Sequence, residues 1–162
     1  MALKPGGKNE NLSYLRFSLR KHREIARAIG DAIDGEVKVV RPGDVNLSAW
    51  KMPDLLIIGS PTLGGRPTQA IQDFLAAIPE SILKGINIAT FDTRLRTKLV
   101  GVFGYAAARI ANSLVTRGGV LIVSPEGFFV KGRGGPLKED EPERAGRWAK
   151  ATLAAYYNRV PT

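Results

Sequence analysis

Three short runs of nearly uninterrupted apolar residues, "DLLIIGS" (54–60), "INIATF" (86–91) and "VLIVSP" (120–125), constrain this chain more than any other feature. Each has the length of a strand, and none alternates polar with apolar residues as a strand with one wet face does. Continuous apolarity over that length marks strands buried on both faces, as in parallel sheets covered by helices. A fourth strand reads at "VKVV" (37–40).

Between the strands the spacing changes to that of helices. Ile25, Ala28, Ile29, Ala32 and Ile33 share one face, as do Ile71, Phe74, Leu75 and Ile78 within 67–79. Phe103, Ala106, Ala107, Ile110 and Leu114 do so within 102–115, and Ala145, Trp148, Ala149, Thr152 and Tyr156 within 143–157. Strands alternating with such helices predict a doubly wound α/β sandwich with right-handed crossovers. With no internal repeat and no dividing linker, one domain over 11–158 is expected, with residues 1–10 as a disordered tail. In this class ligands bind at the carboxyl ends of the strands, beside the point where strand order reverses.

Three loops therefore become candidates: "GSPTLGGRPT" (59–68), "FDTRLRTK" (91–98) and "PEGFFVKGRGGPLKEDEPER" (125–144). Pro67 suits a first helical position. The acids of the run Lys138–Arg144 read most simply as a solvated helix start. Rival chemistry fails on the residues. Gly59 and Gly64 have the spacing of a nucleotide-hydrolase phosphate loop, but Gly65-Arg66 replaces its Lys-Ser/Thr. The chain has no Cys and one His, which excludes disulfides and thiolate chemistry and leaves no basis for a Ser-His triad or a His-based zinc site. No apolar run approaches the length of a membrane span. A cytoplasmic protein is expected.

The net charge of +9 invites a nucleic-acid reading, and its location weakens that reading. Residues 1–23 carry six Lys/Arg against one acid, or +5, while the rest of the chain, with 18 against 14, carries only +4. No helix-turn-helix, RNA-binding aromatic motif or zinc spacing accompanies the charge.

"DLLIIGSPTLGGRPTQAIQDFLAAIP", then "INIATFDTRL", then "VSPEGFFVKGRGGPLKEDEPERA" resembles the flavodoxin family, the likeness running from about Glu24 to Trp148. The resemblance implies a five-stranded parallel sheet in order 2-1-3-4-5, FMN as cofactor, electron transfer as activity and a redox protein as partner. It implies no catalytic residue and no metal, because FMN carries the redox chemistry itself. Ser60, Pro61, Thr62, Leu63, Gly64 and Gly65 would form one ring-binding loop, and Phe91, Asp92, Thr93 and Arg94 the other. A glycine peptide beneath the ring can turn a carbonyl toward the N5–H of reduced flavin at little steric cost. Backbone groups of Thr93 and Arg94 would reach the pyrimidine edge. Leu63 stands where many family members stack an aromatic ring. For Phe91 and Phe128 ordinary core packing is the stronger reading.

One stretch departs from the family. Its members hold the FMN phosphate in a Ser/Thr-rich turn before the first helix, where backbone N–H groups and the helix N-terminus cradle the dianion. Here that turn falls on Phe17–Arg23, "FSLRKHR", with one hydroxyl and no glycine, after a strand "NLSYLRF" (11–17) that contains Arg16. Arg20, Lys21 and Arg23 can attract a phosphate without cradling it, and a flavodoxin-like scaffold that has lost FMN is the alternative function. A sharper hypothesis is a shifted reading frame. Degenerate codons for Asn9–Arg23 admit a nucleotide sequence that, read one base later, encodes Met-Lys-Ile-Leu-Val-Thr-Leu-Asp-Ser-Leu-Phe-Gly-Asn-Thr, an apolar strand followed by a phosphate turn.

Overall fold

A computed structural model describes residues 2–4, 13–16, 20–50, 53–96, 104–131 and 136–160. The strands are β1 (Ala2–Lys4), β2 (Ser13–Arg16), β3 (Glu36–Val40), β4 (Leu55–Pro61), β5 (Asn87–Leu95), β6 (Val120–Leu121) and β7 (Glu126–Val130). The helices are α1 (Arg20–Asp31), α2 (Gln69–Ala77), α3 (Glu80–Leu83), α4 (Ala106–Val115) and α5 (Glu141–Tyr157).

The parallel part of the sheet runs β3-β2-β4-β5, with β6 and β7 one after the other along the outer edge of β5. Counting those two as one interrupted strand gives five parallel positions in the order expected. β1 is an addition, antiparallel to both β2 and β3 at their starts. Residues 1–10, expected to be a tail, thus contribute Ala2–Lys4; residues 5–10 lie outside those described.

Every residue of β4 is buried, which is why its sequence carries no alternation. The alternation appears instead in which layer each residue meets. Leu55, Ile57, Ala89, Phe91 and Phe128 join Ile25, Ile29, Ala145, Ala149 and Tyr156 in one core, under α1 and α5. Leu56, Ile58 and Ile88 join Ile71, Phe74, Leu75, Ile110 and Leu114 in the other, under α2 and α4. Arg117 ties the second layer together by donating to the carbonyls of Leu75 (2.6 Å) and Ile78, at the end of α2.

Several boundaries differ from expectation. The strand expected over 120–125 is broken: β6 stops at Leu121 and β7 begins at Glu126, after Pro125, which has no N–H for a ladder. β5 runs on to Leu95 because β7 pairs with it from Phe91↔Glu126 to Leu95↔Val130. Phe91–Arg94 are therefore strand and not loop. α2 begins after Thr68, whose hydroxyl accepts the Ile71 N–H at 3.4 Å, so Thr68 rather than Pro67 makes its start. α5 begins at Glu141, and that residue is buried rather than solvated: it accepts the Phe129 N–H (2.7 Å) and pairs with Arg144 (2.7 Å). The helix expected over 102–115 is seen from Ala106; residues 102 and 103 lie outside those described, as do 132–135 of "GRGGP".

Candidate functional site at the ends of β4 and β5

The site is built at the carboxyl ends of β4 and β5. Ser60 and Pro61 are buried in β4, the Ser60 hydroxyl donating to the Pro61 carbonyl (3.0 Å) and accepting the Thr68 N–H (2.9 Å). Thr62 donates its N–H to the Thr93 carbonyl at 2.9 Å, tying the turn to β5. Leu63 and Arg66 then exchange both backbone hydrogen bonds (2.9 and 3.0 Å) around Gly64 and Gly65. Both glycines have positive φ, +55° and +76°, the backbone of a two-residue type I′ turn that few side chains tolerate. A Cβ on Gly64 would meet nothing within 4 Å, and Leu63 is 55% exposed beside it. The turn presents Gly64 to open space, while Gly65 is buried.

Polar side chains in a buried strand need partners, and those of β5 have them. Asp92 is fully buried and receives Arg94 in a two-pronged pair, Nε to Oδ1 at 2.5 Å and Nη2 to Oδ2 at 2.9 Å. The guanidinium carbon lies 3.4 Å from the centre of the Tyr105 ring, and the guanidinium packs over Gly127, where any side chain would collide with it. Burial pushes the Asp92 carboxyl above its ordinary range, against the opposing pull of Arg94, the Ala107 N–H and the Thr62 hydroxyl. Phe91 and Thr93 face the other layer. Phe91 stacks on His22, with ring centres 4.6 Å apart and planes 10° apart, and the Thr93 hydroxyl lies 3.2 Å from His22 Nδ1. Phe91 and Phe128 are both fully buried in the core, so neither substitutes for an aromatic at Leu63.

The first turn of α4 joins these two strand ends. Its residue Tyr105 gives no side-chain cap, so the helix is capped from elsewhere in the chain: Thr62 Oγ1 accepts the Ala106 N–H (3.0 Å) and Asp92 Oδ2 the Ala107 N–H (2.9 Å). A carboxylate at a helix N-terminus is favourably placed against the helix dipole. Ser60–Gly65 and Phe91–Arg94 are thus brought together, though only Thr62–Gly64 and Arg94 reach the surface. Backbone groups of Thr93 and Arg94 are engaged by Thr62 and by the pairing with Phe128 and Phe129.

Tyr105, Gly127 and His22 also belong to this region and escaped the sequence reading. The expected turn at Phe17–Arg23 is helical from Arg20, and residues 17–19 lie outside those described. Arg20, Lys21, His22 and Arg23 form the first turn of α1, without an acid, and His22 is directed into the core. Among the described residues β2, which leads to that turn, pairs with β4 only at Ser13↔Leu55, whereas β4 and β5 pair from Leu55↔Asn87 to Pro61↔Thr93.

A flavodoxin from the domain Archaea matches over 90% of this chain and 98% of its own, with a TM-score of 0.71 and 16% identity. The chain has the flavodoxin fold. Flavodoxin 2 from Bacillus cereus agrees (TM-score 0.69, 22% identity, 91% of this chain and 99% of that one). So does rubredoxin oxygen:oxidoreductase from Desulfovibrio gigas, where the match covers 93% of this chain and 36% of that one (TM-score 0.70, 14% identity). No protein-family model and no curated protein sequence matches the chain. On the flavodoxin fold, the residues here fit the two ends of FMN unequally. An exposed glycine turn beside the end of β5 suits a flat ring. The described start of α1 offers cations but neither hydroxyl nor glycine to enclose a phosphate.

Proposed function

We propose that this chain is an FMN-binding, flavodoxin-like electron-transfer protein of the cytoplasm, serving a redox partner protein. The observation that carries the reading is the Leu63–Arg66 turn, with two positive-φ glycines, of which Gly64 faces open space, at the carboxyl end of β4, where the sheet order reverses. FMN, when bound, supplies the redox chemistry itself. The chain's part is to position and tune it: Thr62–Gly65 would lie against the ring, and Arg94, held by Asp92 and Tyr105, keeps positive charge at the end of β5. Among the described residues no helix is long and apolar enough to cross a membrane. Purified protein, as isolated or after reconstitution with FMN, is expected to be yellow, with the two visible flavin absorption bands. A colourless protein that takes up no FMN contradicts the reading.

One observation favours the second reading, a scaffold without flavin. The first turn of α1 carries Arg20, Lys21 and Arg23 and no acid, each cation opposing the helix dipole by ~0.3–1 kcal/mol. The shifted-frame hypothesis accounts for it, since the alternative peptide supplies an apolar strand and a phosphate turn. The nucleotide sequence of the gene decides it: codons for residues 9–22 that do not encode that peptide one base later end the idea.

A further inference from the structure

Among the described residues, the groove beside the glycine turn is basic on every charged position. It lies between α2 and α4, has a volume of about 350 Å3, and is lined by Arg66, Arg109 and Arg117 with Gln72 and Ser113, with no carboxylate among the described lining residues. Arg66 and Arg109 are exposed, and Arg66 belongs to the same hairpin as the exposed Leu63. Arg117 is committed to the Leu75 and Ile78 carbonyls, which leaves its positive charge in place without a neutralising acid in the groove. The nearest carboxylate along α2, Asp73, is bonded to Gln69 at 2.7 Å.

From this arrangement we propose that the Leu63–Arg66–Arg109 face docks an acidic protein partner, with the partner's carboxylates on Arg66 and Arg109 and an apolar contact on Leu63. The proposal rests on the electron-carrier reading for the partner's redox character and on the groove alone for its charge. An exposed apolar residue flanked by guanidiniums has the make-up of a transient protein interface, in which complementary charge sets the encounter rate. Guanidiniums take carboxylates in two-pronged geometry. A single nucleic-acid strand would call for aromatic platforms along the basic groove. Among the described residues the exposed aromatic is Tyr157, on the last turn of α5 and not at this groove.

Surface plasmon resonance on the immobilised, flavin-free chain tests this. The probes are an acidic plant-type [2Fe–2S] ferredoxin, the basic protein cytochrome c, and a thymidine oligonucleotide, at low and at moderate salt. The ferredoxin is expected to bind, to weaken about tenfold or more between the two salt concentrations, and to weaken at least tenfold for the R66E/R109E double variant at low salt. The milder R66Q/R109Q variant should fall between the two, with circular dichroism showing the fold retained for both. Binding that ignores both double variants, equal binding of cytochrome c, or tighter binding of the oligonucleotide through the same arginines overturns the proposal. Flavin uptake read separately keeps the two questions apart. Docking without flavin binding leaves this inference standing and removes the carrier reading; flavin binding without docking does the reverse.

Discussion

Replacing Gly59 by alanine tests how closely the end of β4 is packed against the layer of α1. A Cβ built there overlaps the edge of the Phe91 ring and lies 2.6 Å from His22 Nε2. Neither neighbour can yield cheaply. Phe91 is fully buried, stacked on His22 and held at 6.0 Å by both Phe128 and Trp148, while His22 is tied to Thr93. Gly59 is not in the left-handed region, so the cost is steric and not conformational. Overpacking of a full core costs about 1–3 kcal/mol, and the upper end applies because several rings must move together. With a urea dependence of about 2 kcal/mol per molar, the unfolding midpoint should fall by about 1.5 M. Making room should relieve the clash: Gly59→Ala with Phe91→Leu is expected to lose at least about 1 kcal/mol less than the sum of the two single variants. A Gly59→Ala midpoint within about 0.3 M of the parent, or strict additivity in the pair, would refute the packing account of this strand end.

Two further perturbations test the polar framework of the site. Gly127→Ala should push the Arg94 guanidinium off Asp92 and cost about 1–3 kcal/mol, the penalty for a buried group left unsatisfied. Because the folded-state pKa of Asp92 already lies above its unfolded value and would rise further, that loss should grow as pH rises from the folded pKa of the parent to the higher one of the variant, read from urea unfolding across pH. Glu141 behaves in the opposite sense. Burial alone would raise its pKa, but Arg144 and the Phe129 N–H hold it below the ordinary 4.5, so its stabilisation is present above that value and is lost as pH falls through the folded pKa. Glu141→Gln should flatten the acid limb of the stability curve; an unchanged limb contradicts the role given to the Glu141–Arg144 pair.

What the sequence revealed follows from where each residue finds its partners. Leu55–Ile58 and Ile88–Ala89 satisfy themselves by burial alone, so their apolar runs announced β4 and β5 and, with the helical spacings, the layered fold. Gly64 and Gly65 are legible too, since two glycines between Leu63 and Arg66 match the backbone a tight hairpin requires. The end of β5 is not. Asp92, Thr93 and Arg94 look like a loop until it is known that Arg94 covers Asp92, that Asp92 caps α4 and that Thr93 meets His22, 71 residues away. The alternation of Asp92 and Arg94 two apart on one strand face was the local hint. Nothing local marked His22 as a core residue, because its stacking partner Phe91 is distant in sequence and its neighbours Lys21 and Arg23 are charged.

On the proposed reading, the chain would recognise flavin by the ring-facing turn and only weakly by its phosphate. Titrating the chain with FMN and with riboflavin, read by quenching of flavin fluorescence, tests it most directly. A phosphate cradle of two or three charge-assisted hydrogen bonds, at ~1.5–3 kcal/mol each, would favour FMN by at least about a hundredfold. Both ligands are then expected to bind, with FMN ahead by no more than about tenfold and that margin shrinking with salt, as expected of Arg20, Lys21 and Arg23 without a cradle. Tight FMN binding with no measurable riboflavin binding would contradict the claim about the phosphate, and binding of neither would contradict the claim about the turn.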